Sequence, residues 1–300
     1  MVVRKKFMSL RNILKGTGVA LVTPFKSNLE VDYDALEAVI DFVIRGGVEY
    51  LVTLGTTGET PTLDRSEKIS IANFTFEKVN GRVPVVIGIG GNNTTELVRD
   101  LETFPVEKSA AVLSASPYYS KPSQEGLFQH YKTLAESSSK PLILYNVPGR
   151  TGRNVNASTT IRLAYEVENV LGIKEASGDM ALCMQILRDR PDNFLVVSGD
   201  DALALPQIAC GMDGVISVAA NSFPVNFSEM VRLCLSGNFK AAKQINDKLI
   251  EAYDVMFAEN NPAGVKAFLS ELKLINNYLR LPLVPLSDGV HAKVRIYLEK

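Results

Sequence analysis

The chain has 300 residues, 46% hydrophobic and 22% charged, the composition of an ordinary globular protein rather than a disordered one. A formal net charge of −1 leaves no electrostatic footprint for nucleic acid or an acidic lipid surface. No apolar run approaches the roughly 18–20 residues needed to span a bilayer, so no membrane is expected as a partner.

Three cysteines without a CxxC pair argue for reduced thiols in the cytoplasm and against a disulfide scaffold. Two histidines, His130 and His291, stand too far apart for a histidine-built metal site. Residues 1–8 are briefly basic through Arg4, Lys5 and Lys6, without the apolar core expected of a secretory signal.

In chain order, 18–25 is the first apolar run, and Pro24 limits it as a paired strand. Apolar residues recur at helical spacing over 35–44, with Asp32 or Asp34 as cap and Gly46-Gly47 as stop. The unit then repeats. Strands are expected at 50–54, 85–89, 110–114, 141–145, 170–175, 194–198 and 214–218. Helices are expected between them at 65–79, 95–103, 124–136, 158–166, 181–188 and 202–209. Strands that are apolar throughout, alternating with helices, indicate a parallel sheet covered on both faces. Eight such units over about 220 residues fit a (β/α)8 TIM barrel with a C-terminal helical extension. A doubly wound sheet is the runner-up, weakened because no GxGxxG follows any strand. Beyond the eighth strand only helical periodicity remains, at 227–235, 239–257, 263–272 and 288–298. The expected division is a barrel catalytic domain over 1–236 and a helical region over 237–300. The surplus apolar surface of that region needs the barrel or another subunit against it.

In such a barrel the reactive groups gather at the C-terminal ends of the strands. That rule selects Thr23-Pro24, the turn 55–59, the turn 116–119, the stretch 145–150, Lys174, 199–201 and 216–218. A lysine in a low-dielectric site loses proton affinity, and a neutral amine attacks carbonyls. Lys174, near the end of an apolar strand, is read as such a nucleophile. The inventory holds no phosphate loop, metal cluster or cysteine–histidine pair. It suits covalent carbonyl chemistry: a lysine to form an imine, tyrosines to move protons, hydroxyls and backbone N–H groups to hold a carboxylate. Each residue alone also has an inert reading. The turn 55–58 is a tight turn, Tyr145 a core tyrosine, Arg150 a rim ion pair, and Glu59 a carboxylate that holds its loop by accepting backbone N–H bonds. The cysteines, Met180, Met184 and Met212 read as packing, and His130 as a surface or satisfied helix residue.

Four motifs in order weigh against the inert readings of Lys174, Tyr145, the turn 55–58 and Arg150. Gly55-Thr56-Thr57-Gly58-Glu59, Ser116-Pro117-Tyr118-Tyr119, Tyr145-Asn146-Val147-Pro148-Gly149-Arg150-Thr151-Gly152 and Gly172-Ile173-Lys174-Glu175-Ala176 closely resemble the 4-hydroxy-tetrahydrodipicolinate synthase (dihydrodipicolinate synthase) family. This family belongs to the pyruvate-dependent class I aldolases, with N-acetylneuraminate lyase. The resemblance runs from Gly16 to the C-terminal helices. It implies that Lys174 forms the Schiff base with pyruvate and that Tyr145 is the proton donor and acceptor beside it. It implies that Thr56 and Tyr119 complete a hydroxyl relay, with Tyr119 reaching in from a neighbouring subunit. Thr57 would hold the pyruvate carboxylate, the Ile216 backbone would contact pyruvate, and Arg150 would bind the carboxylate of L-aspartate 4-semialdehyde. The implied product is 4-hydroxy-tetrahydrodipicolinate, at the entry to diaminopimelate and lysine biosynthesis. No cofactor, metal or nucleic acid is implied, and a homo-oligomer is: a tight dimer, commonly paired into a homotetramer.

Arg150 discriminates between this reading and the alternative, a sister lyase acting on a sugar-derived 2-keto acid, since those lyases generally lack an arginine there. A guanidinium suits a small carboxylate-bearing aldehyde. A third reading, a silent barrel serving as scaffold, is opposed by intact Lys174, Tyr145 and Thr56. Asn92, Glu96 and Tyr118 match positions where lysine binds in feedback-inhibited relatives. Arg65 and Lys68, on the helix where some of those relatives carry histidines, would repel a bound lysine, so weak or absent inhibition is expected.

Overall fold

The apolar runs form eight parallel strands: β1 (Gly16–Ala20), β2 (Tyr50–Thr53), β3 (Val85–Gly88), β4 (Ala111–Ala115), β5 (Leu142–Asn146), β6 (Val170–Glu175), β7 (Leu195–Ser198) and β8 (Gly214–Ser217). They pair in chain order and β8 closes on β1, so the computed structural model is a (β/α)8 barrel and the doubly wound alternative is excluded. It describes residues 10–300; the basic stretch over 1–8 lies outside the described residues.

Local chemistry sets the helix limits. Asp32 caps Tyr33–Arg45 by accepting the Ala35 N–H, and Asp64 with Glu67 forms a capping box on Arg65–Val79. Some limits differ from expectation. β1 stops at Ala20 rather than running to Phe25, because Pro24 has no N–H to donate to a ladder. Phe25 pairs instead with Val31 in an isolated antiparallel bridge. A short helix, Pro148–Thr151, stands where a loop is expected, and it carries Arg150. Met184 and Cys210 are exposed rather than packed, because their helices turn those positions to solvent. His130 is buried, with Nδ1 2.8 Å from the Thr94 hydroxyl. Burial pushes its imidazole down to about 4, so it is neutral at neutral pH.

Strand alternation divides the core in two. One parity faces the barrel interior, including Tyr50, Val52, Ile143, Tyr145, Val197 and Ile216. The other parity, including Leu51, Ile87, Leu144, Ile173 and Val196, packs against the surrounding helices. Ile173 lies in the outer set, so its successor Lys174 faces inward. Leu10 and Leu14 join the interior cluster from the chain segment before β1, at the N-terminal end of the barrel.

After β8 come four long helices: Pro224–Leu235, Phe239–Phe257, Ala263–Glu271 and Asp288–Leu298. Leu249, Tyr253, Met256, Val265 and Phe268 are buried, so much of the apolar surface of this region is covered within the chain itself. Among the described residues no helix is long and apolar enough to cross a membrane.

Candidate active site

Lys174 is the penultimate residue of β6 and is only 5% exposed. It stands in register with Tyr145 on β5, and its Nζ lies 4.3 Å from the centroid of the Tyr145 ring. A cation over an aromatic face is held by the ring quadrupole, which partly offsets lost hydration. Space for the side chain comes from Gly199, after β7. A Cβ added there would meet Lys174 Cε at 2.8 Å and Ala176 Cβ at 2.6 Å.

The next residue on each strand, Asn146 and Glu175, points outward and fixes the pair from behind. Asn146 Nδ2 donates to Glu175 Oε2 at 2.8 Å and to Asn154 Oδ1 at 2.7 Å. Glu175 Oε1 accepts the Ser177 N–H at 2.6 Å. Burial pushes the Glu175 carboxyl up, and these donors pull it back.

After β2 the chain makes a single 3-10 turn, Thr56–Gly58. The first N–H groups of such a turn have no partner within it. Thr23 donates its hydroxyl to Gly58 O at 2.7 Å, and Thr60 donates to Gly55 O at 2.8 Å, which closes the loop. Asn261 Nδ2 donates to Thr57 Oγ1 at 3.0 Å. Arg150 projects from its short helix and donates from Nη2 to Asn260 Oδ1 at 2.8 Å. Asp201, buried after β7, accepts the N–H groups of Val218 and Ala219 and so anchors the exit from β8. Desolvation raises its carboxyl to about 6, against the pull of those bonds.

Thr56, Thr57, Tyr145, Arg150 and Lys174 all line one cleft of about 620 Å³. Its far wall is built by Tyr253, Asp254 and Phe257 from the Phe239–Phe257 helix, with Asn260 and Asn261 beyond it. A buried amine at the bottom, a phenol beside it, hydroxyls on one side and a guanidinium at the rim are groups that can form an imine, move protons and hold anions.

The dihydrodipicolinate synthetase family model matches residues 13–300. The chain belongs to that family. It is 49% identical over 287 residues to the 4-hydroxy-tetrahydrodipicolinate synthase of Phocaeicola vulgatus, covering 96% of this chain and 97% of that protein. It is 47% identical over 287 residues to that of Parabacteroides distasonis, with the same coverage of 96% and 97%. The structure of the dihydrodipicolinate synthase of Acinetobacter baumannii complexed with pyruvate aligns with a TM-score of 0.92 at 38% identity. That alignment covers 95% of this chain and 98% of the other.

In this member of the family, the other expected residues do not line the cleft with their side chains, and none was expected to within one chain. Tyr119 lies on the loop after β4 with φ 69° and is 90% exposed, so no Tyr145–Thr56–Tyr119 chain forms within one molecule. The Ile216 side chain is buried among the interior residues of the barrel, which leaves its backbone as the part expected to meet substrate, and Val218, two residues on, lines the cleft. Asn92, Glu96 and Tyr118 are exposed, outside the cleft. Arg65 Nη2 pairs with Asp100 at 3.0 Å. Among the described residues Glu59 accepts one backbone N–H, that of Arg280 far along the chain, and it pairs with buried Lys266.

Gly199, Asp201, Asn260 and Asn261 were not among the residues given a role from the sequence. Gly199 and Asp201 fall in a stretch the strand-end rule selects, but nothing local distinguishes a glycine that makes room for a lysine. Gly199→Ala is expected to lower kcat/KM by about tenfold or more, because misplacing a reacting group is costly. Steady-state kinetics of the folded variant check this, and wild-type turnover would contradict it.

Proposed function

We propose that this protein condenses pyruvate with L-aspartate 4-semialdehyde, through an imine on Lys174, to give 4-hydroxy-tetrahydrodipicolinate. The observation that carries the reading is the inward-facing Lys174 beside Tyr145, at the bottom of a cleft whose rim holds Arg150. The relatives that bear the synthase name support it over a sugar-acid lyase, and the pyruvate complex of the Acinetobacter protein agrees with the first substrate.

The chemistry follows from the groups present. Lys174, as the free amine, adds to the pyruvate ketone; water leaves and an iminium remains. The iminium draws electrons from the methyl group, Tyr145 accepts a methyl proton, and an enamine forms. The enamine carbon attacks the aldehyde carbon, and the new alkoxide takes a proton back from Tyr145. The amino group of the second substrate then adds to the imine carbon and expels the Lys174 amine, which closes the ring and restores the enzyme. The imine is the electron sink, so the reading uses no cofactor.

Thr57 and the N–H groups of its turn receive the pyruvate carboxylate, with the Ile216 backbone against the same substrate. Arg150 receives the carboxylate of the aldehyde. Thr56 passes protons between Tyr145 and solvent through Tyr119 of a second copy, which gives that exposed tyrosine a purpose. A tight dimer is the least assembly this relay needs, and a pair of dimers is the form we propose. The unpaired cysteines fit a cytoplasmic enzyme.

Incubation with pyruvate followed by borohydride tests the reading. A pyruvate-derived mass on the peptide bearing Lys174 is expected; an unmodified lysine would sink it. Arg150→Ala separates the two substrates. It is expected to raise KM for the aldehyde by roughly 10–100-fold, the loss of a charge-assisted hydrogen bond. Trapping of pyruvate should survive, and an equal loss toward both substrates would contradict the assignment.

A further inference from the structure

The turn assigned to the pyruvate carboxylate is held from outside the barrel. Glu59 directly follows Thr56-Thr57-Gly58 with φ 54°, a left-handed conformation that costs a non-glycine residue about 1 kcal/mol or more. Such a conformation persists only where its surroundings over-determine it. Here they do. The Glu59 side chain is completely buried, and its carboxylate pairs with the ammonium of Lys266, also completely buried, on the Ala263–Glu271 helix. Glu59 Oε2 also accepts the Arg280 N–H at 3.1 Å. Lys266 donates to Tyr278 O at 3.0 Å and lies 4.2 Å from the Phe25 ring centroid. The Arg280 guanidinium lies 4.4 Å from the centroid of the same ring and pairs with Glu67. On the same C-terminal segment, Asn261 donates to Thr57. Two side chains of one segment thus grip two residues of one catalytic turn.

Stability alone does not account for the pair. Taking two charges out of water costs several kcal/mol per ion, and an apolar pair of similar volume is often as stable. Burial pushes Lys266 down to about 8, against the opposing pull of Glu59. A charge pair supplies what apolar packing does not, a fixed direction at both ends.

We propose that Glu59, Lys266 and Asn261 are positioning residues that set the Thr57 end of the turn for the carboxylate of the keto-acid substrate. The helical segment beyond the barrel thereby sets the affinity for the first substrate. This rests on the aldolase reading given above. None of the three acts on the reacting atoms; each acts through the turn.

The test uses Glu59→Gln/Lys266→Met, which removes both charges at similar volume and strands neither, and Asn261→Ala, which removes the bond to Thr57. In the double variant the pyruvate concentration for half-maximal imine formation is expected to rise about tenfold or more. Its kcat at saturating pyruvate should stay within about threefold, and its KM for the aldehyde within about twofold. Asn261→Ala is expected to raise half-saturation about threefold, one neutral hydrogen bond's worth. A folded double variant with wild-type half-saturation overturns the proposal, as does a loss spread equally over kcat and both substrates. Should the double variant not fold, Asn261→Ala decides, and an unchanged half-saturation there overturns the proposal equally. Wild-type enzyme trapped with borohydride alongside separates the two claims. Pyruvate on wild-type Lys174 with unchanged variants ends the positioning role alone, and an unmodified wild-type lysine ends the aldolase reading with it.

Discussion

An amine that must be buried and yet reach a substrate is the constraint on which this structure turns. A closed parallel barrel meets it, because its interior is apolar and its strands all end on one face. Lys174 occupies the last inward position of β6, with Ile173 and Glu175 directed outward by strand alternation. Tyr145 covers it from the neighbouring strand, Gly199 leaves it room, and the Asn146–Glu175 contact locks the two strand ends together from behind.

The C-terminal helices are part of that arrangement. Phe239–Phe257 supplies one wall of the cleft, and the residues after it bond to both Arg150 and Thr57. Barrel strand ends therefore carry the groups proposed to react, while the segment that follows the barrel bonds to groups at the rim. The two buried lysines divide the same way. Lys174 opens into the cleft, whereas Lys266 is sealed against Glu59.

The barrel was legible because strands buried on both faces read as unbroken apolar runs, and because Asp32 and Asp64 mark helix starts with their side chains. The Pro148–Thr151 helix was not, since four residues are too few to display a period. At the site, the strand-end rule placed Lys174, Tyr145, Thr56, Thr57 and Arg150 together, as the cleft does. It passed over Lys266, although a lone cation among Val265, Ala267, Phe268 and Leu269 is the same signal that marks Lys174. Its helical setting concealed it, because the partner Glu59 lies far away in sequence. Asn260 and Asn261 were hidden for the same reason. Tyr119 is 90% exposed on its loop, so the partner proposed for it is not to be found in a single chain.

Lys174 is proposed to turn pyruvate into an enamine before any aldehyde arrives. Exchange of the pyruvate methyl protons with deuterium oxide, followed by proton magnetic resonance without the aldehyde, measures that step directly. The account predicts enzyme-dependent exchange that Lys174→Ala abolishes while the fold is kept. Methyl protons left in place by the wild-type enzyme, or exchanged equally fast by Lys174→Ala, would contradict it.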